Sequence, residues 1–371
     1  MVDKKKICLV FNHFQFADGV CRSAIAIANL LVRNTNIEVD LIPLFKYEKE
    51  ALSLLDDRVN VQPVFRTYFR GFAQIVTKLP LSWLYKFIIH KKYDIEIAFQ
   101  FGPATKIMSA STNKKCKHLV WMHGYDNGLT YLDYYKRYDK LITVSKCNSE
   151  RFMSESKKIV PVDYSYNPID DIEVINKSKA PIDMAFNDGL KLVAVGRLSP
   201  EKGYERLVKV VSRLLHEGYK FSLYIIGDGP TRGAIENIIE DNNVGDNVIL
   251  LGSQSNPHKY TSKCDIMVCS SFSEGYSTVC AEAIMLGVPV ISTSVSGSEE
   301  IIGDSGAGMV VGMDDNDLYI GLKTILSDST LLTNWKIQVA RNKYKFSQEY
   351  RSNKLFKILE ITAVPFRNHR A

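Results

Sequence analysis

No stretch of this chain approaches the ~18–20 apolar residues that a bilayer-spanning helix needs; the longest candidates, such as residues 24–32, stop at about half that length. Cys-x-x-Cys pairs are absent too. The seven cysteines, at 8, 21, 116, 147, 264, 269 and 280, are odd in number and scattered. That argues against a disulfide framework or structural zinc and for a reducing compartment. The start of the sequence imitates a secretory leader, and none is expected here. Lys4-Lys5-Lys6 precede Ile7-Cys8-Leu9-Val10-Phe11, but this apolar run of five residues falls short of the ~7–15 of a real one, and Asn12-His13 closes it. It reads as a first β-strand. The low hydrophobicity of a disordered chain is missing as well: 46% of residues are hydrophobic and 24% charged, enough apolar side chain to build cores. At ~100–200 residues per domain, a chain of 371 residues suggests two domains, with three as the alternative.

Negative charge is scarce in one place. Up to Ile175, 25 Lys and Arg face 19 Asp and Glu, and beyond it 22 face 22, so the first half holds the whole net charge of +6. From Arg66 to Lys117, ten basic residues face only Asp94 and Glu96, a local +8. Tyr68, Phe69, Phe72, Trp83, Tyr85 and Phe87 are interleaved with them. Cations among aromatic rings suit an anionic membrane surface, where charges meet head groups and rings lie at the interface. A nucleic-acid surface would look similar, and a solvated helix face over a core is the plain alternative. The membrane surface is taken as the expected partner, and nucleic acid is not.

Short apolar runs alternate with helical patterns throughout. Strands are expected over 7–11, 38–44, 95–99, 117–122 and 141–144, with helices over 23–32 and from near Ser145. Asn167-Pro168 and the polar residues 176–189 read as a linker. The pattern then restarts: strands over 191–195, 221–226, 248–251, 266–269, 288–291 and 308–311, with helices over 204–217, 231–241, 278–286 and 317–326. Alternation of this kind predicts two doubly wound parallel α/β sheets in tandem, with ligands beyond the carboxyl ends of the strands.

Two motifs carry chemistry. Gly196-Arg197-Leu198-Ser199-Pro200-Glu201-Lys202-Gly203 follows a strand and puts two cations and free backbone N–H groups at its carboxyl end. A diphosphate is the obvious ligand, with Arg197 as a planar fork and Lys202 as a point charge; a solvated surface loop is the alternative. Glu274-Gly275-Tyr276-Ser277-Thr278-Val279-Cys280-Ala281-Glu282 places two carboxylates around a helix start that Ser277 can cap. They suit a ligand with hydroxyls at both ends and an anion between, or they simply oppose the helix dipole. Asp315-Asn316-Asp317 matches the D-x-D of metal-dependent nucleotide sites, but it begins a helix, where carboxylates cap. Gly227-Asp228-Gly229 with Gly233 is a weak dinucleotide signal, its third glycine misplaced. Cys264 and Cys269 read as core.

Together with Ile226-Gly227-Asp228-Gly229-Pro230, Leu251-Gly252 and Gly287-Val288-Pro289-Val290, these motifs resemble the retaining glycosyltransferases of the GT-B fold, in particular family GT4. The resemblance is strong from Gly196 to about Gly312. It is weaker in the first half, through the Gly19 loop, His123-Gly124 and the Ser145 helix start. It implies two Rossmann-like domains facing across a cleft: an acceptor domain over 1–168, on which a C-terminal helix of about 346–371 packs back, and a donor domain over 169–345. Arg197 and Lys202 would bind the donor diphosphate, Glu282 the ribose hydroxyls and Glu274 the sugar hydroxyls. Backbone N–H groups of Ser277, Thr278 and Val279 would hold phosphate and sugar, with Gly196, Gly227 and Gly252 lining the site. Gly19, after Asp18, would approach the phosphate from the other domain, and His123 would lie near the reacting sugar; without the resemblance it would read as a core histidine. The family usually shows two adjacent glycines in the first loop, whereas here Asp18 precedes a single one.

The implied activity is transfer of a hexose or N-acetylhexosamine, with retention, from a nucleotide-diphosphate sugar to a lipid-linked or polysaccharide acceptor in capsule, exopolysaccharide or lipopolysaccharide assembly. Uracil is the expected base and guanine the alternative. No metal or other cofactor is expected, and the location is the inner face of the cytoplasmic membrane. A sugar-nucleotide epimerase of the same fold and a non-catalytic nucleotide-sugar-binding subunit are the alternatives. The basic-aromatic stretch argues against the first, and the joint presence of Arg197, Lys202, Glu274 and Glu282 against the second.

Overall fold

The computed structural model describes residues 4–15, 19–65, 69–125 and 129–362. The chain divides into two compact units, one running to Pro168 and resuming at Arg351, the other spanning Ile169–Tyr350.

Unit 1 is built on seven parallel strands: β1 (Lys5–Phe14), β2 (Ile37–Tyr47), β3 (Asn60–Val61), β4 (Ile95–Ala98), β5 (Lys117–Met122), β6 (Lys140–Thr143) and β7 (Val162–Tyr164). They lie in the order β3-β2-β1-β4-β5-β6-β7. Parallel strands covered on both faces need apolar side chains at successive positions, and Ile7, Cys8, Leu9, Val10 and Phe11 are all fully buried. β1 outruns the apolar run because β2 pairs with it from Lys5↔Ile37 to Phe14↔Tyr47. The helix Lys146–Glu155 starts at Ser145, whose hydroxyl accepts from Asn148 N–H. At the far end of the helix Gln348–Leu359, Lys117 Nζ donates to Ile358 O at 2.9 Å, and Lys5 Nζ donates to Glu360 O at 2.9 Å. Both cations meet the carbonyl end of the helix dipole.

Unit 2 holds six parallel strands: β8 (Leu190–Val195), β9 (Phe221–Ile226), β10 (Val248–Gly252), β11 (Ile266–Cys269), β12 (Val290–Thr293) and β13 (Gly308–Val311), ordered β10-β9-β8-β11-β12-β13. The helix Tyr204–His216 buries Leu207, Val208, Val211 and Leu214, a stripe at helical spacing.

Two expectations are corrected here. The strand placed at 288–291 begins two residues later. Gly287 takes a left-handed φ of 86°, and Val288 N–H closes the preceding helix on Ala283 O at 2.8 Å, so both residues belong to a helix C-cap. The linker at 176–189 is partly helix. Asp171–Ser178 is capped by Asp170, which accepts from Glu173 N–H at 2.9 Å, and the carbonyls of Lys177 and Ser178 accept from Asn256 and Ser262.

Candidate active site

In unit 2 the strand order reverses between β8 and β11, the switch point at which open α/β sheets bind ligands. The loop leaving β8 carries Arg197 and Lys202, and the loop leaving β11 carries Glu274. The two loops meet tightly. Gly203 has a φ of 66°, and a Cβ there would collide with Ser270 O. Arg206, one turn into the next helix and 4% exposed, donates to Ser270 O, Ser271 O at 3.0 Å and Met313 O at 2.7 Å. Its guanidinium lies over the Phe272 ring. A buried cation thus ties down the segment that ends in Glu274. Nothing in the sequence singled it out except an arginine on the apolar face of a helix.

Lys202 Nζ donates to Glu274 Oε1 at 2.6 Å, and Ser271 Oγ donates to the same oxygen at 2.8 Å. Burial pulls the Lys202 ammonium down, but the Glu274 carboxylate raises it further, and the net shift is upward. The lysine is therefore charged throughout the neutral range. The two residues for which the resemblance implies different ligands hold each other.

Around them, Lys202, Tyr204, Glu274, Ser277, Val279 and Cys280 line one small pocket. The helix Thr278–Met285 opens onto it. Ser277 is its N-cap residue, yet its side chain makes no cap bond and reaches Cys280 Sγ at 3.2 Å instead. The expectation that its hydroxyl caps the helix is thereby corrected, and the N-terminal N–H groups of Thr278 and Val279 are left to a ligand or water. Outside this pocket, Arg197 is exposed, and among the described residues its guanidinium is in no ion pair. Glu282 lies further along the helix with His258 Nδ1 at 3.8 Å from its carboxylate, a neighbour the sequence did not flag.

Residues 178–342 match the family model described as glycosyl transferases group 1. The match lies within the C-terminal unit. One relative is the Campylobacter jejuni N-acetylgalactosamine-N,N'-diacetylbacillosaminyl-diphospho-undecaprenol 4-alpha-N-acetylgalactosaminyltransferase, 33% identical over 208 residues that cover 54% of each chain. Another is an Escherichia coli O-antigen biosynthesis glycosyltransferase, WclY, 25% identical over 185 residues, or 48% of each chain. The chain thus spans about half the length of these curated relatives. The whole fold superposes on Anabaena HepE in complex with UDP with a TM-score of 0.72, covering 96% of this chain and 99% of that one at 16% identity. Two parallel-sheet Rossmann-like units of the GT-B type are therefore the fold class.

Within the matched residues the glycines work on the backbone. Gly196 N–H donates to Ile226 O at 2.9 Å, Gly227 N–H to Gly252 O at 2.8 Å and Leu198 N–H to Asp228 O at 3.0 Å, stitching together the loops beyond β8, β9 and β10. A Cβ at Gly227, where φ is 147°, would collide with Gly196 O. Asp314 caps the helix Asp315–Ser327 by accepting from Asp317 N–H at 2.8 Å, so the D-x-D match sits in a helix start. Cys264 and Cys269 are buried.

In unit 1, His123 follows the carboxyl end of β5. Its ring meets Phe99 edge-on with centroids 4.5 Å apart and stacks near Trp121. Burial drives its imidazole down to about 3, so it is neutral at working pH, and its buried Nε2 has no partner among the described residues. Gly19 begins the helix Gly19–Asn34 on the surface, and a Cβ there would meet nothing. Asp18 lies outside the described residues. Asn12, at the end of β1, was missed in the sequence. It sits at the switch between β1 and β4, where its Nδ2 donates to Phe101 O at 2.5 Å and its Oδ1 accepts from Ala104 N–H at 3.0 Å.

Proposed function

We propose that the chain is a retaining glycosyltransferase that moves a sugar from a nucleotide-diphosphate sugar, UDP-linked, onto a lipid-linked or polysaccharide acceptor in surface-glycan assembly. The observation that carries this reading is the Lys202–Glu274 pair at the switch point of unit 2, beside an uncapped helix N-terminus and Arg197, which is in no ion pair among the described residues. Breaking a sugar–phosphate bond builds negative charge on the leaving diphosphate. Fixed cations and N–H dipoles stabilise that charge without reorganising. The diphosphate draws Lys202 from Glu274, and the freed carboxylate accepts from the sugar hydroxyls. The positive charge comes from Arg197, Lys202 and the helix, so no divalent ion is needed for this step, and the leaving phosphate takes the acceptor's proton. The diphospho-undecaprenol substrate of the Campylobacter relative and the UDP bound to HepE support the acceptor class and the base. Calorimetric titration with UDP and GDP, followed by a transfer assay on a lipid-diphosphate acceptor, tests the reading. UDP binding abolished in Lys202→Ala supports it; equal binding by wild type and variant overturns it.

The acceptor side of the proposal rests on unit 1. Phe69, Ile75, Leu79, Trp83 and Phe87 are all exposed within one segment, and Trp83 stacks on Phe87 at 5.5 Å. Arg70, Lys78, Lys86 and Lys92 are exposed among them with no ion-pair partner among the described residues. Rings with cations at this density fit an anionic membrane surface, where the protein would meet a lipid-linked acceptor. Parts of the expected patch fall away. Arg66 and Tyr68 lie outside the described residues. Tyr85 is buried and donates to Glu96, Phe72 packs on Phe45 and Phe65, and Lys91 and Lys117 are paired with Asp40 and Glu360.

A further inference from the structure

We propose that unit 1 binds a divalent transition-metal ion through Glu96, Cys116 and His118. Glu96 and His118 are register partners on β4 and β5, and Cys116 immediately precedes β5. A carboxylate oxygen, a thiol sulfur and an imidazole nitrogen from the three lie within 4.8 Å of one another. No family motif and no part of the donor chemistry uses them. They sit at the amino ends of β4 and β5, whereas His123 follows the carboxyl end of β5, so the site is structural rather than catalytic.

Three geometric observations fit a metal at this cluster, which is otherwise held by the His118–Glu96 ion pair. His118 Nδ1 is 3.4 Å from Glu96 Oε2. Two ligands of a tetrahedral zinc, each bonded at about 2.0–2.2 Å, stand about 3.3 Å apart. The other ring nitrogen, Nε2, lies 2.9 Å from Asn113 O; metal-binding histidines hand their second N–H to such a carbonyl, which leaves the first nitrogen as the ligand. Tyr85 OH donates to both oxygens of Glu96, at 2.9 and 3.1 Å, and so orients the carboxylate. Glu96 is 1% exposed and Cys116 7%. The Glu96 carboxylate already faces the His118 imidazole, and the thiolate that Cys116 becomes on binding needs a further cation at such depth. One sulfur, one nitrogen and one oxygen donor select a borderline ion such as Zn2+ over Mg2+ or Ca2+. The Cys116 proton leaves on binding, and water completes the coordination. The half-buried His118 marks the side from which the ion enters.

The test uses untagged full-length protein, stripped with chelator and titrated with Co2+ and with Zn2+. Co2+ should produce a thiolate-to-cobalt charge-transfer band that saturates at one equivalent. Zn2+ should displace it, raise Tm, and appear as one bound ion in native mass spectrometry. Cys116→Ser should remove the band, and His118→Ala should weaken binding at least tenfold. Cys147→Ser, which removes the exposed thiol, should change neither. A wild-type far-UV circular dichroism spectrum and a cooperative thermal transition serve as the folding control for each variant. No saturable band in the wild type, or a band that survives Cys116→Ser in a folded variant, overturns the site and leaves a hydrogen-bonded triad. None of these readouts depends on glycosyl transfer, so the failure of either proposal is distinguishable from that of the other.

Discussion

Arg197, Lys202 and Arg206 lie within ten residues of one another, and their surroundings give the three cations different work. Arg197 is exposed and in no ion pair among the described residues, so Arg197→Ala should lower turnover about 100-fold or more through lost transition-state stabilisation and leave Tm unchanged. A kcat loss without a Tm shift is the expected pair of readings. Arg206 is buried and satisfies three carbonyls. Arg206→Ala should destabilise the protein by about 2–4 kcal/mol, since it strands those acceptors and removes charged hydrogen bonds; urea unfolding measures this. Asp40 supplies a pH signature. Burial pushes its carboxyl up, but hydrogen bonds from Lys91, Tyr93 and Asn60 outweigh that and hold it below the ordinary 3.8. A depressed carboxyl stabilises the fold above its ordinary value and loses that contribution as pH falls through the folded one. The stability gap between wild type and Asp40→Asn should therefore be flat near neutrality and shrink in acid below about pH 4, as denaturant titrations across pH would show.

At the scale of elements, the short helices Phe72–Val76 and Leu81–Ile88 turn one side to the core and leave Ile75, Trp83 and Phe87 outside. Trp83→Ser with Phe87→Ser should weaken flotation with anionic vesicles, because the rings carry the interfacial contact. Lys78→Glu with Lys86→Glu should do the same and flatten the salt dependence, each basic residue being worth about 1 kcal/mol near such a surface. UDP affinity should be unchanged in both pairs. Lys91 is unsuitable for this test: it is 2.8 Å from Asp40, and a glutamate there would set two carboxylates face to face. Wild-type protein left in the pellet at low salt would count against the membrane and favour a soluble acceptor.

For the whole molecule, the division of labour between two Rossmann-like units bears on metal. Donor chemistry is assigned to cations and N–H groups of unit 2, and the metal triad to unit 1. Turnover after brief chelation should therefore be the same with and without added magnesium, while Zn2+ should act on Tm. A strict, magnesium-restored turnover would return attention to Asp315 and Asp317. Stability and turnover measured on the same chelated sample separate these outcomes.

Local sequence was enough for the architecture. Apolar runs bounded by glycine and polar turns, alternating with helical stripes, determine two parallel sheets, because strand and helix periods are written in neighbouring residues. The ends of Phe221–Ile226 and Ile266–Cys269 can be read to the residue for that reason. The Gly196–Gly203 loop and the E-x7-E spacing likewise brought Lys202, Glu274 and the helix start to notice. What local pattern cannot determine is which distant groups satisfy one another. Lys202 holding Glu274, Arg206 clamping two loops, Lys91 and Tyr85 bound to buried carboxylates, and Glu96 meeting Cys116 and His118 are all contacts between separate elements. The order β10-β9-β8-β11-β12-β13 arises from packing, and only once it exists do residues 72 positions apart, Lys202 and Glu274, share one proton-bridged contact.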